Sequence, residues 1–406
     1  DGTNNYFLYS EQKQHFMEEE RAAGVASIQI VDQVIILGDG TLEELIQLLR
    51  PDILVLGKEF ESEQHLQVGE AIRLLKRQGG IALFHAGDTH YASSELLRYN
   101  LPELHEQQSQ LFKQACSKQK LILGDLLECI DKFEKTSLLV IGDTIVDQYV
   151  ACDALGMSAE APIVVVRELD SLEYAGGAAI VAMHASALGA QCCYLSVVGP
   201  DSNASILTEK LKRLNVEHFL VEDNSRPTTF KIRYLVNNQK IFRVSRMKEH
   251  SIPRPIEDQI ITELKATASQ VRGILISDFV YGVITPRVLG AITELVAKHH
   301  LLVFGDLQCS SQVGNITKFN NFDLLCPTER ESRIALGTQD EGLEWVANAL
   351  MKKTNTRNLV MKLGGEGFIT YESKEEGFIN RQHFPALNTN PVDVAGAGDS
   401  LLAALS

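Results

Sequence analysis

The chain lacks several features that would each define a class of protein. Its seven cysteines are scattered over 406 residues, with no CxxC pair and no histidine set beside them. This argues against a zinc site or a disulfide framework and favours reduced thiols in a cytoplasmic protein. No apolar run approaches the length of a membrane span, and no signal-peptide pattern opens the chain. Because the first residue is Asp1 rather than Met, we expect the natural N-terminus to lie upstream.

Basic charge is also scarce. The chain has 38 Lys and Arg residues against 53 Asp and Glu residues, a formal net charge of −15. Nucleic acids and membrane surfaces are bound by basic faces, so we expect neither as a partner. Local basic clusters still allow a small anionic substrate.

The length exceeds what a single hydrophobic core usually serves, so two domains are expected. Between Gln33 and Leu83, short β-branched runs alternate with amphipathic stretches, which predicts a partial α/β domain over residues 1–95. Thr41 and Glu44 have the spacing of a capping box at a helix start. A polar stretch with helical spacing predicts a helical connector over residues 96–134. The predicted strands of the first domain are 33–37, 53–56 and 81–84.

A second α/β unit is predicted over residues 135–406. It begins with a buried strand at Ser137–Ile141, and helix and strand signals then alternate as in a doubly wound sheet. Three further strand-like segments form a small β flap, with Asn237 and Asn238 at a hairpin turn. The predicted flap strands are 163–167, 230–235 and 240–244. The other predicted elements are strands 194–198, 273–277 and 301–304 and helices 178–188, 202–214 and 256–267.

The stretch Pro391–Ser400, PVDVAGAGDS, is a glycine turn that opens onto a helix with an acid at its mouth. The backbone N–H groups of Gly396, Ala397 and Gly398 would form an anion hole at the helix N-terminus, where the macrodipole favours negative charge. Asp399 would stand beside the anion, placed to take a proton from an attacking hydroxyl. These residues alone are equally compatible with an ordinary strand-to-helix turn.

Six motifs in order make the second unit resemble the ribokinase-like (PfkB) sugar kinases. It is most similar to the kinase half of bifunctional heptose 7-phosphate kinase / heptose 1-phosphate adenylyltransferases. One motif alone is weak, but six in the same order are specific. The motifs are Ile141–Tyr149, Ser158–Val165, Gly176–Ala179, Lys231–Arg233, Ser277–Phe279 and Val392–Asp399.

The resemblance implies an ATP-dependent kinase that uses Mg²⁺. Asp399 would be the catalytic base, Glu331 would be associated with magnesium, and the sugar or its phosphate would be bound at the first strand's exit and on the flap. Turn capping by Asp143, helix entry by Gly176-Gly177 and solvated strand charges are the alternatives. The implied substrate residues are Asp143, Asp147, Gly176, Gly177, Lys231, Arg233 and Arg243. The implied nucleotide residues are Lys362, Gly364, Gly367 and Asp393.

The first unit looks like the later part of the adenylyltransferase half, a Rossmann-like nucleotidyltransferase domain, with the domain order reversed. The matching segments are Glu20–Ile36, Leu49–Phe60 and Tyr91–Ser94. Those enzymes carry an HxGH signature near their start, and nothing before Asp32 supplies it. His85–His90 resembles the signature only superficially, because Asp88 follows Gly87. We expect either a catalytic segment upstream of Asp1 or a relic domain.

Several residues depart from the family pattern. Ile180 stands in place of a sugar-contacting Asn, Tyr281 and Gln308 each replace a Lys, and Thr328 replaces the Asn of an NxxE motif. The chain also stops at Ser406, before helices that the family uses to complete the nucleotide pocket. Three functions stay open: a heptose phosphate kinase, a kinase for another sugar or nucleoside, and a non-catalytic homologue with a regulatory or scaffolding role. The resemblance further implies a homodimer through the flap.

Overall fold

The computed structural model describes residues 18–26, 31–37, 40–57, 66–86, 101–309, 312–373, 379–388 and 393–406. The chain divides into two compact units, Asp1–Glu95 and Leu96–Ser406. None of the described helices is long and apolar enough to cross a membrane. All seven cysteines lie in the described ranges, and each is a free thiol.

The first unit contains a two-stranded parallel sheet flanked by helices. Its small core joins Ile46, Ala71 and Leu75, and the predicted capping box of Thr41 and Glu44 is present. These features confirm an α/β arrangement for the described part, but they do not by themselves make it a nucleotidyltransferase. The elements are α1 Glu18–Ala26, α2 Leu42–Leu49, β1 Ile53–Gly57, α3 Leu66–Arg77 and β2 Ile81–Ala86.

The predicted strand at 33–37 is wrong. These residues adopt no regular structure, and Ile35 and Ile36 are about half exposed. Their β-branched side chains favour extended backbone, but a strand also needs a neighbour to complete its hydrogen-bond ladder. Within the described residues of this unit, β1 pairs only with β2. Lys58–Phe60 and Tyr91–Ser94, as well as most of the His85–His90 segment, lie outside the described residues.

The second unit is built on a nine-stranded sheet of order β15-β14-β13-β12-β11-β10-β3-β6-β7. The seven strands from β13 to β7 run parallel to one another. Strand β14 is antiparallel to both of its neighbours, β13 and β15. Its strands are β3 Ser137–Gly142, β6 Gln191–Val198, β7 Glu217–Glu222, β10 Gly273–Asp278, β11 Leu302–Leu307, β12 Leu324–Leu325, β13 Asn358–Lys362, β14 Phe368–Ser373 and β15 Ile379–Phe384.

Helices cover this sheet, and one apolar core lies on each of its faces. The central strands are almost continuously apolar because both of their faces are buried. This confirms the predicted ribokinase-like α/β sheet. The helices are α4 Leu101–Lys118, α5 Leu123–Asp131, α6 Ala178–Ala187, α7 Ser202–Arg213, α8 Arg254–Thr267, α9 Pro286–His299, α10 Glu329–Leu336, α11 Leu343–Thr354 and α12 Ala397–Leu405.

The first helix of the predicted connector packs on the second unit. The rings of Phe112 in α4 and Phe384 in β15 lie 6.3 Å apart between centroids, and the Gln119 amide bonds Gln382 at 3.1 Å. In contrast, α5 buries none of its residues.

A four-stranded flap of order β5-β4-β8-β9 projects from the central sheet. Asn237 and Asn238 both have positive φ, 49° and 64°, as a tight hairpin between β8 and β9 requires. The strands are β4 Thr144–Met157, β5 Val164–Gly177, β8 Phe230–Val236 and β9 Gln239–Arg246. The flap is thus present, and its second strand continues ten residues beyond the predicted end at 167.

Gly177 carries the chain from the flap into α6. Its φ of 60° and ψ of −145° belong to a region that only glycine occupies readily. A Cβ at Gly177 would overlap the Asp143 carbonyl oxygen, and one at Gly176 would overlap the Asp147 carboxylate. Gly177 therefore lets the flap root approach the end of β3 closely, and Gly176 leaves room for the Asp147 side chain of β4.

We expect Gly177→Ala to destabilise the protein by roughly 2 kcal/mol or more, because it adds both backbone strain and overlap. Urea unfolding measures the change. Gly290→Ala is the matched control, since a Cβ at Gly290 in α9 meets nothing within 4 Å. This control should be neutral or stabilising by up to about 1 kcal/mol. Equal effects of the two substitutions would contradict the assignment.

Candidate active site

The carboxyl ends of β11 and β13 and the first turn of α12 bring four polar side chains together. Asp306 is the next-to-last residue of β11, and Gln308 directly follows that strand. Lys362 ends β13, and Asp399 lies in the first turn of α12. Ligand sites of open parallel sheets lie at this edge. These four residues are called the candidate catalytic cluster.

Asp399 is almost completely buried, with 6 % of its surface exposed. Gln308 donates a hydrogen bond from Nε2 to its Oδ1 at 2.8 Å. Burial and the nearby charge of Asp306 raise the pKa of Asp399 to about 7, against the opposing effects of Lys362 and Gln308. A carboxylate with such a pKa is suited to accept a proton near neutral pH.

Asp306 and Lys362 form a buried ion pair. The Lys362 ammonium lies 2.9 and 2.7 Å from the two Asp306 oxygens. Burial alone lowers the pKa of Lys362, but Asp306 and Glu331 outweigh it and raise that pKa, so the ammonium stays charged. Burial also raises the pKa of Asp306, and its contacts with Lys362 oppose the rise. Lys362 was predicted on the nucleotide side; the structure places its side chain against Asp306.

The glycine turn starts α12 as the sequence predicts. Gly396 has φ 80° at the N-cap. Ala397 donates its backbone N–H to the Val394 carbonyl at 3.2 Å, whereas the N–H groups of Gly396 and Gly398 have no acceptor among the described residues. A Cβ at Gly398 would lie 3.2 Å from the Lys362 ammonium. Two of the three predicted anion-hole donors are thus available, with a cation beside them.

Asp393 joins this turn to the flap. Its carboxylate accepts bonds from Lys240 at 2.6 Å, from the Tyr149 hydroxyl at 2.9 Å and from the Ala395 N–H at 2.9 Å. Burial would raise its pKa, but the bonds from Lys240, Ala395 and Tyr149 together lower the pKa to about 2. Asp393 therefore stays ionised. The structure shows it in this link, and its predicted contact with nucleotide stays a prediction.

Asp143 supports the turn after β10. Its carboxylate accepts three backbone N–H bonds, from Phe279 at 2.7 Å, Tyr281 at 3.1 Å and Val283 at 3.2 Å, and the residue is 1 % exposed. Burial and the charge of Asp278 raise its pKa to about 7, although these three bonds oppose the rise. This is the turn cap that the sequence left as the alternative. Its predicted contact with the sugar stays a prediction.

Charged residues line one face of the flap. Arg233 makes an ion pair with Asp147, the residue that Gly176 leaves room for. Lys231 is 2 % exposed, and its ammonium lies over the rings of Phe279 at 5.2 Å and Tyr281 at 5.1 Å. It makes no ion pair within the described ranges. Lys231 is therefore a buried cation held by aromatic rings rather than by a carboxylate.

Arg243 lies opposite Arg233 in the β8–β9 register and is exposed. The strand alternation puts Lys231, Arg233 and Arg243 on the same face of the flap. These three predicted substrate residues are therefore grouped, with Asp147 beside them.

Glu331 closes a capping box at the start of α10. Its two carboxylate oxygens accept the N–H groups of Cys309 at 3.0 Å and Thr328 at 2.8 Å. Thr328 at the family's Asn position thus serves as the N-cap. No group of three or more potential metal ligands occurs among the described residues. A role of Glu331 at a metal stays a prediction.

Gly364 and Gly367 form the tight turn between β13 and β14, with φ of 63° and 90°. A Cβ at Gly367 would overlap the Phe384 carbonyl oxygen. Their predicted contact with nucleotide is not tested by these contacts.

Two of the family departures also have clear structural positions. Tyr281 is 2 % exposed and packs with Phe279 and Ile145, and Gln308 bridges the two carboxylates of the candidate catalytic cluster. Ile180 is half-buried in α6. The sequence did not predict a role for Asp306; a carboxylate at the end of a buried strand is the signal that points to it.

Comparison with known proteins gives the same picture for the second unit. The model of the pfkB family carbohydrate kinases matches residues 135–406. The curated Bifunctional protein HldE of Geobacter sulfurreducens is 32% identical over 271 residues, 66% of this chain and 54% of that protein. The HldE protein of Campylobacter jejuni is 30% identical over 276 residues, 67% of this chain and 56% of that protein. The chain therefore spans about half the length of the curated relatives it matches.

Solved structures share the fold. Phosphofructokinase-2 of Escherichia coli superposes with a TM-score of 0.51 at 16% identity, covering 66% of this chain and 84% of that one. A ribokinase of Giardia lamblia gives 0.52 at 14% identity, covering 66% and 82%. At such identities the likeness shows the fold alone.

We expect the buried Asp399 carboxylate to lower the free energy of unfolding at high pH. Folding raises its pKa from 3.8 to about 7, so the folded protein holds the proton more tightly and loses stability as the pH rises through that interval. Asp399→Asn mimics the protonated form. We expect this variant to be more stable than the parent at pH 8, on the order of 3 kcal/mol, with the difference shrinking toward pH 4.

Urea unfolding at several pH values measures this difference. Asp340→Asn removes a charge from an exposed residue and sets the background. A stability difference for Asp399→Asn that does not grow with pH would contradict the raised pKa.

Proposed function

Because the chain belongs to the pfkB carbohydrate kinase family, we propose that it transfers the γ-phosphoryl group of ATP to a hydroxyl of a phosphorylated sugar, with heptose 7-phosphate as the first candidate. The observation that carries the proposal is the buried Asp399 carboxylate at the start of α12, beside two N–H groups that have no acceptor among the described residues. A base and an anion hole at one point are what phosphoryl transfer to an alcohol requires.

In the proposed reaction the sugar hydroxyl oxygen attacks the γ-phosphorus while the bond from that phosphorus to the β,γ-bridging oxygen breaks. Asp399 accepts the hydroxyl proton, and ADP leaves with the bridging oxygen. The N–H groups of Gly396 and Gly398 donate to the oxygens of the transferring group, whose negative charge the helix N-terminus also favours. With a pKa of about 7, Asp399 is ionised and ready to accept the proton in a large fraction of molecules near neutral pH.

The flap supplies the support for an anionic substrate. Lys231 is buried without a carboxylate partner in the described part of the chain, and a buried unpaired cation is costly. A phosphate on the sugar would offset that cost. Arg233, held by Asp147, and Arg243 on the same face would bind it further. This grouping favours a sugar phosphate over a neutral sugar.

The nucleotide would lie on the side of the Gly364–Gly367 turn, with Asp393 at the junction with the flap. Magnesium needs only one or two protein carboxylates when phosphates and waters supply its other ligands, so the lack of a three-residue cluster among the described residues is compatible with it. Since both Glu331 oxygens already accept N–H bonds, Glu331 would act on the metal through water. Bound with ATP, the ion would neutralise phosphate charge.

Two finer assignments belong to the same proposal. The first unit derives from a nucleotidyltransferase domain, which the order of its sequence segments supports. The flap pairs two copies of the chain, which is supported by the exposed apolar side chains of Leu155, Met157, Leu169, Leu172 and Phe242.

We expect Asp399→Asn to lower the rate of phosphoryl transfer by about 100- to 10,000-fold, the range that general bases contribute. In the parent, kcat should fall as the pH drops below about 7, because Asp399 becomes protonated. A coupled assay of ADP release with a panel of sugars and sugar phosphates measures both. Asp340→Asn serves as the control and should keep the parent rate.

Turnover that survives Asp399→Asn would refute the proposed base. If the parent binds ATP in calorimetry but transfers to none of the sugars, a non-catalytic homologue that binds nucleotide replaces the kinase. A preference for an unphosphorylated sugar or a nucleoside would support the proposed kinase activity but contradict the proposed substrate.

We expect Lys231→Met to raise KM for the sugar phosphate by about tenfold to a hundredfold with a small effect on kcat. A charged hydrogen bond to phosphate is lost, whereas methionine can still pack over the rings of Phe279 and Tyr281. Lys265→Met, at an exposed position in α8, is the matched control. A loss confined to kcat would contradict the proposed role of Lys231 in binding the substrate phosphate.

A further inference from the structure

The buried cation Lys362 has a second neighbour besides Asp306, the first turn of α12. Gly398 in that turn has no side chain, and a Cβ there would stand 3.2 Å from the ammonium and 3.8 Å from Asp306 Oδ2. The ion pair therefore lies directly against the backbone of the turn that carries Asp399. Side-chain exposures of 12% for Lys362 and 0% for Asp306 show that this contact is shielded from water.

Gln308 connects the ion pair to Asp399. Its Nε2 lies 2.8 Å from Asp399 Oδ1 and 3.5 Å from Asp306 Oδ2, so one amide group stands between two carboxylates. An amide NH₂ has two hydrogens and can serve both. The contacts form a continuous chain from Lys362 through Asp306 and Gln308 to Asp399.

Among these four side chains, Lys362 is the one that compensates the negative charge of the carboxylates. Asp306 and Asp399 are both buried, and like charges so close cannot both ionise without a compensating cation. The other titratable groups that act on them are acidic. Asp147 from the flap acts on Asp399, Glu331 from α10 acts on Asp306 and Lys362, and the buried Cys326 thiol after β12 faces Asp306 and Lys362. Lys362 is the cation that contacts the cluster within the described ranges.

We propose that Lys362 is a positioning residue of the phosphoryl-transfer centre, which holds Asp306 ionised beneath the first turn of α12 so that Asp399 alone takes up the proton. The inference rests on the proposed role of Asp399 as the base. The Lys362 ammonium contacts both oxygens of Asp306, and Asp306 in turn is joined to Asp399 through Gln308.

Without the ammonium, the two carboxylates become a pair that shares one proton. The last proton then leaves the pair at higher pH than it leaves Asp399 in the parent. Without the Asp306 charge but with Lys362 intact, the ammonium acts on Asp399 alone, and the Asp399 midpoint falls below that of the parent. The two substitutions thus shift proton uptake in opposite directions.

The test is a titration of the full chain, labelled with ¹³C at the aspartate carboxyl groups and observed by NMR without substrates. Signals are assigned with Asp306→Asn and Asp399→Asn. For Lys362→Met we expect the final midpoint of the pair to rise by about one pH unit or more, and for Asp306→Asn we expect the Asp399 midpoint to fall by a similar amount. Lys362→Arg keeps the charge and should stay close to the parent.

Arg381→Met is the matched control, since the Arg381 side chain is 10% exposed and paired with Glu344 away from the cluster. It should leave the Asp399 midpoint in place. If Lys362→Met does not fold, the test depends on Asp306→Asn alone. A fall of the Asp399 midpoint in that variant supports the inference, and a rise contradicts it. Unchanged midpoints in both variants overturn the inference.

Kinetics separate the inference from the proposed kinase function. In an active enzyme, Lys362→Met should move the acid limb of kcat upward with the NMR midpoint while KM for ATP changes less than threefold. A rise in KM for ATP with an unmoved acid limb would make Lys362 a nucleotide contact and overturn the positioning role. If no sugar is phosphorylated, the NMR titration still decides the question, because it needs no turnover.

Discussion

Two carboxylates buried side by side, Asp306 and Asp399, are the constraint on which the rest of the site depends. Burial disfavours the ionised form of each, and the charge of Asp306 further disfavours ionisation of Asp399. A fold that keeps both in place needs a cation within contact and a neutral donor between them. Lys362 at the end of β13 is that cation, and Gln308, directly after β11, is that donor.

The same requirement explains the small residues around the cluster. Gly398 lets the Lys362 ammonium reach the backbone of α12, and Gly177 lets the flap root pass over the end of β3. Asp143 then holds the turn after β10 by three N–H bonds, and this turn carries the aromatic rings that surround Lys231. Backbone packing and charge placement therefore depend on each other: a methyl group at Gly398 would crowd the Lys362 ammonium, and one at Gly177 would overlap the Asp143 carbonyl oxygen.

The sequence predicted the parts of this arrangement that depend on local pattern. Apolar runs identify the central strands, two consecutive asparagines identify the flap hairpin, and the glycine turn identifies the start of α12. The sequence pattern gave a wrong prediction where strand pairing determines the structure. The β-branched segment 33–37 has no strand partner in the described part of the first unit, and it stays irregular. The contact of Asp306 with Lys362 could not be predicted from the sequence for a related reason. The two residues lie on strands separated by β12, and only the order of the sheet brings their side chains together.

The Asp393 link and the Asp306–Lys362 pair are both ionic, but they differ in their exposure to solvent. The side chains of Lys240 and Asp393 are 40% and 30% exposed, whereas those of Lys362 and Asp306 are 12% and 0% exposed. Dissolved ions screen accessible charges over a Debye length of about 8 Å at physiological ionic strength and act far less on buried ones. The attachment of the flap to the glycine turn is therefore sensitive to the salt concentration, while the electrostatic environment of Asp399 is insulated from it.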